Sequence, residues 1–225
     1  MFARHPEPGR TKTRLAAAIG DDVAAELSAA FLHDLLQRCP KLADRFLVAA
    51  TPCDPATADW FEPKLADNAR LVFQPDGDLG QKIAWFFNSE ATVGDRAVLI
   101  GSDSPDLPTS VFETAFQRLN DVDLVVSPAT DGGFVLIGLR RQPGELFREI
   151  RWSSEETLSD LLDAATRCGL STERLSPWYD IDVVSDLVTL HANLLPTDSP
   201  TAACPATVRV LQSHWSLIER VLADL

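Results

Sequence analysis

Four continuous apolar runs constrain this chain more than any other feature: FLVAAT (46–51), ARLVFQ (69–74), RAVLIGS (96–102) and VDLVVSPA (122–129). Each is bounded by turn residues and lacks the polar alternation of a strand with one wet face. Such runs read as strands covered on both sides, the usual state of parallel strands. Helical patterns separate them, at 21–38, 56–66, 80–90 and 109–120. Asp21 and Asp22 come directly after Gly20 and suit the positive end of a helix dipole. Pro108 and Thr109 start another helix, whose stripe is Val111, Phe112, Ala115, Phe116 and Leu119. The run FVLIGLRR (134–141) comes after its predecessor with only the short loop TDGG between them, too short for a parallel crossover. This strand is therefore expected to run antiparallel. Helices at 154–168 and 183–195 complete the pattern, which predicts a three-layer α/β/α sandwich with a mixed, mostly parallel central sheet.

The expected organisation is one α/β domain over residues 1–195, a Pro/Thr/Ser/Ala-rich linker at 196–205 and an amphipathic helix at 206–225. Val208, Leu211, Trp215, Ile218, Leu222 and Leu225 recur three and four apart and give that helix a narrow apolar seam. The seam either packs back on its own domain or joins a second subunit to make a homodimer. Charge narrows the partners. Twenty Lys and Arg against 33 Asp and Glu give a net charge of −13, which repels nucleic acid and anionic membranes. Cys39, Cys53, Cys168 and Cys204 are scattered without a C-x-x-C pair, as expected of thiols in a reducing compartment. MFARHPEPGR contains no apolar leader, and no window approaches the 18 apolar residues of a membrane span. A cytoplasmic protein is expected.

In open α/β sheets, ligands sit beyond the carboxyl ends of the strands. Acids cluster at those ends: Asp103 and Asp106 in DSPDLP, Asp131 in TDGG, and Asp180 and Asp182 in DID. Singly, each Asp has an ordinary role as a helix cap or Asx turn: Asp182 before a helix near Val183, Asp131 before Gly132 and Gly133. Together they repel one another, and Mg²⁺ or Mn²⁺, which takes one or two carboxylates plus substrate phosphate oxygens, offsets that repulsion. Near the N-terminus, PEPGRTKTRL places Gly9 beside Arg10, Lys12 and Arg14 ahead of a helical pattern. It is not a Walker A motif. Gly9 admits close backbone approach, and the three alternating cations would share a side on an extended loop and face an anion. GDLGQK (77–82) is a second glycine-bracketed loop. With Gly80 and Lys82 it either closes over a base or sugar or is a turn and helix cap.

These motifs occur in a telling order: F-A-R-x-P-x-P-G-x-x-K-T-R-L, G-D-L-G, G-S-D-S-P-D-L-P, P-A-x-D-G-G-F-x-L-I-G-L, W-S and D-I-D-x-x-x-D-L. Over about residues 2–195 the chain resembles the bacterial family of arsenosugar-biosynthesis-type glycosyltransferases, formerly a domain of unknown function. It also resembles the wider GT-A, nucleotide-diphospho-sugar transferase superfamily, and is similar to the phospholactate and molybdenum-cofactor guanylyltransferases. The resemblance implies a metal-dependent transferase that moves a sugar from a nucleotide-activated donor to a small acceptor. Guanylyltransferase-like nucleotidyl transfer releasing pyrophosphate, and non-catalytic nucleotide binding, are the alternatives. By position, Gly9, Arg10, Lys12 and Arg14 would hold donor phosphates, with Gly80 and Lys82 contributing from the second loop. Asp103, Asp180 and Asp182 would be metal ligands. Asp106, Asp131, Gly132, Gly133, Phe134, Trp152 and Ser153 would form the acceptor side, and Lys12, Asp103 and Asp131 would be catalytic.

Three departures qualify the match. Relatives carry a full first strand before F-A-R, here reduced to Met1-Phe2-Ala3, so either the start is misassigned or the strand is truncated. The second loop reads Gly80-Gln81-Lys82-Ile83 where G-x-R-M is usual, which loses a bidentate guanidinium. Phe134 stands where Tyr is common.

Overall fold

The computed structural model describes residues 1–91, 94–194 and 204–224. Most of the expected linker, 196–203, and the last seam residue, Leu225, lie outside the described residues. The elements run in the order β1 (Phe2–Arg4), α1 (Thr13–Ile19), α2 (Asp21–Arg38), β2 (Phe46–Thr51), α3 (Pro55–Phe61), β3 (Ala69–Phe73), α4 (Leu79–Trp85), β4 (Ala97–Ile100), α5 (Thr109–Arg118), β5 (Leu124–Pro128), β6 (Phe134–Leu139), α6 (Thr157–Arg167), β7 (Thr172–Arg174), α7 (Asp186–Leu194) and α8 (Pro205–Ala223). The fold is mixed α/β with parallel-rich sheets, as the strand–helix alternation predicts.

The chain forms two compact units. The first comprises Met1–Phe73, Ser102–Thr109 and Asp180–Leu225; the second comprises Gln74–Gly101 and Ser110–Tyr179. The strands, expected in one sheet, pair as two. In the first unit β1, β2 and β3 form a wholly parallel sheet, with Phe2 opposite Ala49 and Phe46 opposite Ala69. β2 buries Val48, Ala49 and Ala50 almost completely, which is why its run shows no polar alternation. In the second unit the order is β4-β6-β5-β7. β6 is antiparallel to both β4 and β5, as the short TDGG loop requires, and β7 is parallel to β5. β7 is a three-residue strand whose sequence, TER, carries no apolar run, so patterning does not reveal it.

Local chemistry sets the helix starts. α3 opens with Pro55 behind Asp54, whose carboxylate accepts the Thr57 N–H at 2.8 Å. At α4, Asp78 and Gln81 form a reciprocal capping box: the Gln81 N–H donates to Asp78 at 2.8 Å and the Asp78 N–H to the Gln81 side chain at 2.9 Å. In the first unit, α8 lies against α2 and α1 and buries Thr207, Leu211 and Ile218. Its first turn is capped from α2. The buried Asp34 carboxylate accepts the N–H of Ala206 at 3.0 Å, the N–H of Thr207 at 2.8 Å and the Thr207 hydroxyl at 2.7 Å. No helix among the described residues is long and apolar enough to cross a membrane.

Candidate functional site

The loop after β1 is held at both ends. The His5 N–H donates to the Thr51 carbonyl at 2.8 Å, and the N–H groups of Arg10 and Thr11 both reach the Glu7 carbonyl. Gly9 turns the chain at φ +75°, a conformation that suits glycine. Thr11 is buried, and its hydroxyl shares a 3.3 Å hydrogen bond with Ser28 of α2. The next residue, Lys12, adopts φ 49°, ψ 44°, left-handed backbone that a side chain of this size rarely takes.

That turn decides where the cations go. Arg10, Lys12 and Arg14, expected on one side, do not share one. Arg10 and Arg14 are exposed, whereas the Lys12 side chain is only 5% exposed and points inward. Its ammonium lies 2.8 Å from Asp103 Oδ1 and 3.5 Å from Asp182 Oδ1, and donates to the Ile181 carbonyl. Arg14 lies 3.5 Å from the other oxygen of Asp182, and Arg10 pairs with Glu7 at 3.2 Å. The first unit thus gathers two half-exposed carboxylates around one buried ammonium.

Backbone hydrogen bonds explain this register. The Ile181 N–H donates to the Asp103 carbonyl at 3.0 Å, tying the DSPD and DID segments together. The N–H groups of Asp182 and Val183 both donate to Asp186 Oδ2 at 2.8 Å. Asp182 therefore does not cap the helix after it. That helix begins later, at Asp186, and Asp186 is the acceptor. Sequence reasoning missed Asp186, Thr11 and the Ile181 carbonyl; only Asp186 left a signal, the last acid of D-I-D-x-x-x-D.

Asp106 has no exposed surface and accepts from Asn193 of α7 at 3.3 Å. Its carboxylate anchors the DSPD segment rather than meeting an acceptor. Asp180 is half-buried, one residue before the Ile181 carbonyl that accepts from Lys12. Among the described residues no three His, Cys, Asp or Glu side chains form a metal-like cluster. The carboxylates that could hold Mg²⁺ or Mn²⁺ are Asp103 and Asp182, which converge on the Lys12 ammonium; substrate phosphate and water would have to complete the ion's shell.

The remaining predicted residues lie in the second unit, where Gly80 and Phe134 meet Trp152. A Cβ on Gly80 would lie 2.2 Å from Trp152 Nε1, so this glycine seats the indole. GDLGQK is thus a turn and helix cap, as one of its two readings required. Trp152 also meets Phe134 edge-on, with centroids 6.4 Å apart. Gly132, at φ +91°, packs against the Glu155 backbone, and its carbonyl accepts the Leu158 N–H at 2.9 Å. Asp131 accepts the Gly133 N–H at 2.9 Å, an Asx turn that leaves its carboxylate exposed. Ser153 is exposed at φ 57°. Arg151 and Asp160 clamp this segment with bonds of 2.9 and 2.8 Å, which hold the Asp160 carboxyl down to about 2. Lys82 is half-buried in α4.

Residues 32–154 match the family described as uncharacterized proteins conserved in bacteria, DUF2064. The chain belongs to this family. A structure from Desulfovibrio desulfuricans G20, provisionally assigned as a nucleotide-diphospho-sugar transferase, is 31% identical, with a TM-score of 0.87 over 98% of this chain and 95% of that one. Two solved structures share the fold at lower identity. The 4-diphosphocytidyl-2C-methyl-D-erythritol synthase of Anaerococcus prevotii DSM 20548 is 10% identical, with a TM-score of 0.53 over 74% of this chain and 84% of that one. A cytidylyltransferase from Leptospira borgpetersenii serovar Hardjo-bovis is 14% identical, with a TM-score of 0.52 over 96% and 94%. No curated protein matches the chain.

Proposed function

We propose that this chain is a nucleotide-utilising transferase that moves a sugar from a nucleotide-diphospho-sugar to a small acceptor. The observation that carries this reading is the buried Lys12 ammonium between Asp103 and Asp182, with the exposed guanidinium of Arg14 beside them. The cluster pairs two cations with two carboxylates on a glycine-turned loop, so in this acidic protein it is locally balanced rather than repulsive to an anion. It suits a diphosphate leaving group, whose developing charge is the largest demand on such a catalyst. The provisional assignment of the 31% identical relative points the same way.

Asp103 and Asp182 are the residues to hold Mg²⁺ or Mn²⁺, which when bound supplies positive charge to the donor phosphates. Arg10 and Arg14 offer bidentate forks to phosphate oxygens. In the second unit, Asp131 keeps an exposed carboxylate able to take a proton from an acceptor hydroxyl, and Trp152 and Ser153 are assigned to acceptor recognition. Four free cysteines suit the reducing cytoplasm.

Nucleotidyl transfer is the second reading, favoured by two carboxylates converging on one cation. Here a phosphorylated substrate would attack the α-phosphorus of a nucleoside triphosphate and expel pyrophosphate. Radiolabelled nucleotide-sugars and nucleoside triphosphates, each incubated with Mg²⁺ or Mn²⁺ and a panel of small acceptors, separate the two. Sugar transfer with release of a nucleoside diphosphate is the expected result; pyrophosphate release would overturn it. Asp103→Ala is expected to abolish turnover while circular dichroism stays native, and retained activity in the folded variant would remove Asp103 from the mechanism.

A further inference from the structure

A buried ammonium between two carboxylates occupies the place that a divalent ion would need. The Lys12 Nζ carries three N–H donors, and three oxygens surround it: Asp103 Oδ1 at 2.8 Å, Asp182 Oδ1 at 3.5 Å and the Ile181 carbonyl. The ammonium is thus directed at protein oxygens, and its side chain is only 5% exposed. The cage is built rather than incidental. Thr11 is fastened to Ser28, Ile181 N–H is fastened to the Asp103 carbonyl, and Asp186 holds the N–H groups of Asp182 and Val183. The left-handed backbone of Lys12 is the local cost of aiming its side chain into this cage.

We propose that Lys12 is the resident cation of the Asp103–Asp182 pair, and that a divalent ion binds this pair only by displacing it. Like charges a few ångströms apart repel strongly in a half-buried setting, so the ammonium and a divalent ion exclude one another. Removing the ammonium takes away the cation beside Asp103, leaves Asp182 with only the exposed Arg14, and makes the pair a better metal site. This inference rests on the transferase reading for what draws Lys12 out: the anionic phosphates of the donor offer its ammonium new partners as the metal takes the carboxylates. Metal and donor then bind in mutual support, and the metal alone binds poorly.

Mn²⁺ binding to the full-length protein, monitored by the electron paramagnetic resonance of free Mn²⁺ without nucleotide, tests the exchange directly. Wild type is expected to bind weakly. Lys12→Met is expected to bind at least tenfold more tightly, and Lys12→Met combined with Asp103→Asn to lose that gain. Lys12→Gln, which keeps a donor for the Ile181 carbonyl but no charge, repeats the measurement if Lys12→Met does not fold by circular dichroism. Equal Mn²⁺ affinity in wild type and either folded Lys12 variant would overturn the proposal, as would a gain that survives Asp103→Asn. Absence of sugar transfer would strike the proposed function and leave the Mn²⁺ result standing.

Discussion

At the scale of single residues, the most informative positions are those where a side chain is forced one way by its backbone or refused room altogether. Lys12 is the first kind. An extended loop would have set it beside Arg10 and Arg14; a left-handed backbone sends it inward to Asp103 and Asp182. Gly80 is the second kind. In sequence its loop either closes over a base or sugar or is a turn and helix cap, and in the fold the space beside this glycine is taken by the Trp152 indole. Gly80→Ala is therefore expected to destabilise the protein by about 1–3 kcal/mol through overpacking, measured by urea unfolding, and to change the near-ultraviolet dichroism of the tryptophans. Unchanged stability would show that Trp152 yields without cost. Asp106 carries a similar lesson: in sequence it is one more strand-end acid, while in the fold it is fully buried against Asn193.

At the scale of elements, helix ends and helix seams carry the testable energetics. Asp34 of α2 serves α8 with three hydrogen bonds from a buried position. Asp34→Ala leaves those donors without an acceptor and is expected to cost about 2 kcal/mol or more, read from equilibrium unfolding. Protection of α8 amides in hydrogen exchange should fall with it. The same helix meets α7 through His191 and Trp215, whose rings stack 3.5 Å apart at 9°. Burial lowers the His191 pKa from 6.5, with Glu219 of α8 opposing the shift. The unfolded chain takes up this proton first, so the neutral ring's contribution is complete above pH 6.5 and declines as pH falls through the lower folded value. Wild type should therefore lose stability relative to His191→Phe between pH 7 and pH 5, measured by urea midpoints; parallel curves would contradict this.

For the whole molecule, the balance of charge and the division into two units set the expectations. A net charge of −13 makes polyanions poor partners unless a local site overcomes it, and the proposed function assigns that part to the Lys12 loop in the first unit. A nucleotide-sugar with Mg²⁺ at a hundredfold excess over Kd should stabilise the protein by about 2.7 kcal/mol, roughly 5–11 °C in melting temperature for a chain of this size. If the units melt separately, the transition of the first unit moves and that of the second does not. No shift with any nucleotide-sugar or nucleoside triphosphate would remove nucleotide binding from consideration.

Sequence by itself determined most of the succession of strands and helices, β7 excepted, together with the antiparallel turn of β6 and the amphipathic tail. It did so because hydrophobic periodicity, capping and loop length act over a few residues. It also determined which acids and cations were candidates, since strand-end loops are where an α/β sheet presents chemistry. The tertiary structure decided what each candidate touches. Lys12 and Ile181 are 169 residues apart, and nothing local to either anticipates their bond. Tertiary contact likewise selected Asp103 and Asp182 as the pair, turned Asp106 into an anchor and Gly80 into a seat for Trp152. It also made Asp186, an acid with no assigned role in sequence, the residue that holds the DID turn. Those outcomes depend on which distant surfaces the core brings together, and no pattern along the chain records that.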